Sequence, residues 1–129
     1  MSQTGEPEPR WLEAITLFNA GEYFACHDIL EEIWSEADEL ERQFYQGLIH
    51  VAVSLHHFEG GNFSGARKMH DSALRYLAPY GDVHNGLNLT SFHEQYHRCF
   101  VPLLKPWSEY PSGICFSVHD APQWALMTE

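Results

Sequence analysis

The stretch ELERQFYQGLIHVAVSLHHF, residues 39–58, carries the longest helical run of apolar side chains in this chain. Phe44, Leu48, Ala52 and Leu55 share one face, and Tyr45, Ile49 and Val53 widen it. A face that broad needs cover on more than one side, so the segment predicts a central, enclosed helix. The rest of the chain must then supply its neighbours.

The flanking segments read as helices of that kind. From Arg10, Trp11, Ile15 and Phe18 recur at spacings of four and three, and Asn19-Ala20-Gly21 closes the element. In EYFACHDILEEIW, Tyr23, His27, Leu30 and Trp34 form one face while Asp28, Glu32 and Glu36 form another. Gly60-Gly61 ends the central helix, and Asn62 is a suitable N-cap for a fourth element with the stripe Phe63, Ala66, Met69, Ala73, Leu74 and Leu77. Pro79, Gly81 and GDVHNG read as a loop. A fifth helix is expected from about Leu89 to Leu104, capped by Thr90 or Ser91, with Glu94 at capping-box spacing from Ser91.

After Pro106 the chain changes character, and Pro111, Gly113 and Pro122 interrupt short apolar pieces. This tail, residues 106–129, is expected to be irregular with a brief extended segment, draped over the helices through Trp107, Phe116 and Trp124. Residues 1–9 read as a flexible arm and 10–129 as a single helical domain. The fold class is therefore all-α, a compact bundle of about five helices with an irregular C-terminal tail.

Composition narrows the function. Eighteen acidic against seven basic residues give a formal charge of −11, which repels a phosphate backbone and argues against nucleic acid. No apolar run approaches the ~20 residues of a membrane span, and MSQTGEPEPR lacks a signal peptide's basic start and apolar block. Three widely spaced cysteines, an odd number, fit reduced thiols, and the expected location is the cytoplasm.

FNAGEYFACHDILEEIW, then FYQGLIHVAVSLHH, then GNFSGA, in that order, resembles the domain of unknown function 309 family of small helical proteins from bacteria and archaea. The resemblance covers residues 17–78 and makes Gly21, Tyr23, His27, Glu31, Trp34, Gln46, Gly47 and Ala66 the signature positions. It implies an all-helical bundle and no established reaction. Asp28 stands where the family usually has Glu, and His50 where Gln or another polar residue is common. Within the same region GEYFAC and GNFSGA echo each other forty residues apart. Two readings fit the echo, a pair of well-made helix-helix turns or a duplicated helical hairpin.

His27 and Glu31, four apart, are neighbours on a helix face that Tyr23 and Trp34 extend, while Gln46, His50 and His57 share a face of the next helix. In an antiparallel hairpin the two polar strips could meet. Three outcomes are open: a buried hydrogen-bond network of His27, Glu31 and Gln46 that fixes packing, a divalent transition-metal site with His27, Glu31 and His50 as ligands, or a pocket walled by Trp34 and Tyr23.

HEQYH, residues 93–97, matches the helical zinc-peptidase pattern. Yet at 100° per residue His93 and His97 flank the apolar stripe Phe92, Tyr96, Phe100 and Leu103, and a third ligand would have to come from Glu109 or His119 in the tail. It reads as a chance match on a helix flank.

The sequence thus predicts a non-enzymatic cytoplasmic module that binds a protein partner or self-associates through Tyr23, His27, Glu31, Trp34, Gln46 and His50, with no cofactor, nucleic acid or membrane. The alternative is a metal-binding protein or metal-dependent hydrolase centred on His27, Glu31 and His50.

Overall fold

The computed structural model describes residues 8–127, so residues 1–7 of the expected arm lie outside the described residues. Glu8 and Pro9 belong to the first helix instead. Proline opens α1 (Pro9–Asn19), where its missing N–H would have no partner anyway, and Glu8 accepts from the Trp11 amide as N-cap. There follow α2 (Tyr23–Glu36), α3 (Glu39–Glu59), α4 (Phe63–Leu77), a small hairpin β1 (Val83–His84) and β2 (Leu87–Asn88), and α5 (Leu89–Phe100). The bundle is all-α, with the irregular C-terminal tail that the proline-rich sequence predicts.

Two turns with the same chemistry organise the first four helices. Gly21 (φ 81°) and Gly61 (φ 85°) take the left-handed conformation that side chains resist. In each turn the following amide reaches back to a helix carbonyl, Glu22 N to Leu17 O at 2.9 Å and Asn62 N to His57 O at 2.8 Å. The echo between GEYFAC and GNFSGA is therefore one stop signal used twice, producing the hairpins α1/α2 and α3/α4. Helix α2 packs against α1 and α3, and α3 against α2 and α4.

One face of this four-helix layer is covered. From α5, Tyr96 shares a hydrogen bond with Ser54 of α3 at 2.6 Å, Phe92 meets Phe18 of α1 edge-on, and Phe100 stacks on His70 of α4. The tail completes the cover: Trp124 stacks on Phe18 at 3.7 Å, and the Asn19 amide both donates to Trp124 O and accepts from Trp124 N. Phe116 lies edge-on to Tyr23 and Phe58. Trp107 does not join them; it is 40% exposed, with its indole N–H on Pro102 O.

Several expected details shift for local reasons. On α2 the buried stripe is Tyr23, Cys26, Leu30 and Ile33, so His27 and Trp34 sit at its edge. On α4, Leu74 is exposed while His70 and Ser72 are buried, their polar groups satisfied by Asp71 of the same helix and by His50 of α3. GDVHNG is a hairpin whose Asn85 (φ 48°) and Gly86 (φ 77°) supply the positive φ values a two-residue turn requires. Its second strand bridges Leu126, the tail's extended contact. Asn88, not Thr90 or Ser91, caps α5 by accepting from the Ser91 amide, so Glu94 closes no capping box.

The closest approach in the layer is at Gly47, where an added Cβ would lie 2.8 Å from Leu77 and 3.1 Å from the Tyr76 Cβ. Leu77 is itself 1% exposed and has nowhere to retreat. Gly47→Ala should therefore lower stability by on the order of 1 kcal/mol despite alanine's better helix propensity, read as a lower urea midpoint with unchanged slope. A rise in midpoint would show that α4 does not approach this closely.

Candidate functional site

The covered face leaves an opposite one, where α2 and α3 form a groove. Glu31, Trp34 and Ser35 line it from α2, and Gln46 and Ile49 from α3, around a cavity of about 370 Å³. Both walls follow from helical spacing: residues three or four apart on α2, and Gln46 and Ile49 one turn apart on α3. At one end Arg42 lays its guanidinium 5.1 Å above the Trp34 ring and donates to Ala37 O. Toward the other, Phe24, which is 59% exposed, stands with its ring 5.6 Å from His27 and 5.5 Å from His56.

The single polar strip expected from the sequence resolves into two separate networks. In the first, His27 Nε2 lies 3.1 Å from Glu31 and Nδ1 lies 3.3 Å from Asp28, a contact that closes no hydrogen bond and leaves Nδ1 buried without a partner. In the second, Gln46 pairs with His50 Nε2 at 2.8 Å and Ser72 with His50 Nδ1 at 2.8 Å, joining α3 to α4. His50 thus spends both ring nitrogens away from His27, and the ligand set His27, Glu31 and His50 does not assemble. Among the described residues, the grouping of three that could surround a cation is His27, Asp28 and Glu31, with donors within 4.8 Å of one another.

Tyr23 is not a wall of this groove. It is buried on the covered face against Phe18 and Phe116, and burial drives its hydroxyl well above the usual phenol range. His57 pairs with Asn62 at the α3/α4 turn at 3.3 Å. Sequence periodicity did not single out Ser72, Ser35 or Arg42; Ser72 carried the signal of a small polar residue within an apolar stripe, and the other two carried none.

On α5, His93 is half-buried and His97 exposed, both on the same flank of the Phe92, Tyr96 and Phe100 stripe. Among the described residues neither Glu109 nor His119 joins them within ligand reach. The thiols of Cys26 and Cys99 are pushed up to about 12 by burial, which keeps them protonated and poor nucleophiles.

This is a helical-hairpin protein, two antiparallel pairs in one layer, backed by a fifth helix and presenting a polar and aromatic groove on the other side. Residues 11–69, from α1 into α4, match the family described as Domain of unknown function (DUF309). It is 36% identical over 78 residues to an uncharacterized protein of Aquifex aeolicus (strain VF5), covering 60% of this chain and 23% of that one. It is also 39% identical over 57 residues to the uncharacterized protein YpuF of Bacillus subtilis (strain 168), covering 43% and 33% respectively. The chain thus spans a quarter to a third of the length of these curated relatives.

Burial lowers the pKa of His50, with Arg75 adding to the effect. It also lowers those of His93 and of His70, the latter against the opposing pull of Asp71. Each ring binds its proton less readily folded than unfolded, so the unfolded chain takes up more protons once the pH falls below about 6.5. Stability should therefore be level above about pH 7 and decline from there toward about pH 5. Urea midpoints measured across that window test this, and a midpoint that rises on acidification would contradict it.

Proposed function

We propose that this chain is a non-enzymatic binding module that docks a segment of a partner protein in the α2/α3 groove. The observation that carries this reading is the gathering of Trp34, Glu31 and Gln46, three signature positions outside the buried core, around one cavity on the face that α5 and the tail leave open. A volume of about 370 Å³ is in the range of sites that hold small ligands or a few side chains. Tryptophan and arginine together are the side chains that anchor protein interfaces. Phe24, at 59% exposure, extends the apolar surface at the His27 end.

Arguments against catalysis are chemical. Ser54 is tied to Tyr96 inside the core, and the buried thiols are protonated. No described helix is long and apolar enough to cross a membrane. The thiol chemistry fits a reducing, cytoplasmic setting.

A divalent-metal reading keeps His27 and Glu31 and exchanges His50 for Asp28. Metal analysis of untagged protein decides it, and content well below stoichiometric removes it.

The docking reading is tested by nitrogen-labelled spectra recorded with a library of short peptides. Bound peptides should move the Trp34 indole and the Gln46 side-chain amide, and Trp34→Ala should weaken them about tenfold or more without lowering the thermal midpoint by more than a few degrees. Peptides that move only the Trp107 or Trp124 indole would place binding elsewhere and defeat the proposal.

A further inference from the structure

The charge on the α2 side of the groove is one-sided. Helix α2, YFACHDILEEIWSE, carries Asp28, Glu31, Glu32 and Glu36 and no lysine or arginine. Three of the chain's seven basic residues, Arg67, Lys68 and Arg75, are on α4. Arg10 is taken up by Glu8 and Glu36, at 2.6 and 2.7 Å, and reaches Glu32 at 3.8 Å. Among the described residues, Asp28 and Glu31 have no lysine or arginine within ion-pair distance; both face only the ring of His27.

The molecule also holds a sample of the contact such a rim would make. Arg42 stands as a cation over the Trp34 ring, at the mouth of the same cavity, using the ring's negative face. A second cation arriving along α2 would meet Glu31 and Asp28 on one side and Trp34 on the other. An acidic segment would meet three carboxylates. A second copy of this chain presenting its own α2 would do the same.

From this we infer that the partner segment is basic and amphipathic, with an aliphatic side chain seated against Trp34 and Ile49 and lysine or arginine side chains on Asp28, Glu31 and Glu32. The inference rests on the docking reading of the groove and adds the chemistry of the occupant. Opposite charge on the rim speeds encounter and selects against wrong partners, while the apolar contact holds the complex.

The test compares three designed peptides of equal length, alternating leucine with lysine and arginine, leucine with glutamine, and lysine with glycine. The leucine and lysine/arginine peptide should move the Trp34 indole and bind about tenfold more tightly than the others. Its affinity should fall about tenfold between about 50 and 500 mM salt. The triple variant Asp28→Asn, Glu31→Gln, Glu32→Gln should weaken it about tenfold while its thermal midpoint stays at or above wild type, since removing like charges relieves repulsion.

Equal binding of the leucine and glutamine peptide at Trp34 would keep the groove and overturn the charge inference. Equal binding of the lysine and glycine peptide would reduce the effect to diffuse attraction and overturn it too. If no peptide moves Trp34, both readings fall. Self-association in sedimentation that the triple variant abolishes would give the face to a second copy and overturn the basic partner.

Discussion

The contact of α4 with α3 at Gly47 governs the rest of the layer. Leu77 and the Tyr76 Cβ sit where any larger residue would place its side chain, so the two helices approach closely here. That proximity brings Ser72 to His50, and His50 to Gln46, in a bridge between helices. It also closes α3 on one flank, as α2 does on the other, leaving a narrow outward strip on which Gln46 is half-buried at the groove. Close packing of this kind transmits position, and the orientation of Gln46 at the cavity depends on it.

The second determinant is which face of the layer α5 and the tail occupy. Trp124 is clamped through its backbone by Asn19 and through its ring by Phe18, both at the end of α1. Tyr96 and Phe100 anchor α5 to Ser54 and His70. These contacts bury Tyr23 and close the side of α2 that carries Cys26 and Leu30. The opposite edge, Phe24, His27, Glu31 and Trp34, is left to solvent in part, and its chemistry becomes available to a partner.

Legibility followed the range of the interaction. Helices α1 to α4 could be read because apolar spacing, Gly21, Gly61 and Asn62 are local signals, each acting within a few residues. The stripe of α2 was displaced by about one position because His27 and Trp34 are amphipathic and Cys26 and Ile33 were the true core residues. The GDVHNG hairpin had its Asn-Gly signal in view, yet a two-residue strand has too little periodicity to declare itself without the bridge from Leu126. For the candidate site, the grouping of the residues was not legible: His27 and Glu31 meet on one helix, and Gln46 and His50 form a separate network reaching Ser72.

The amino-acid sequence by itself determined the helical class, the two left-handed glycine stops and the likeness of residues 11–69 to the family, because all three depend on spacing along the chain. It also determined the acidic character of α2, since charge is additive and needs no geometry. Tertiary structure alone decided that Tyr23 is core and Trp34 is groove, that His50 serves α4 and not His27, and that Arg42 stacks on Trp34. Each of those outcomes turns on a few ångströms between residues distant in sequence, a distance that periodicity along a single helix does not encode.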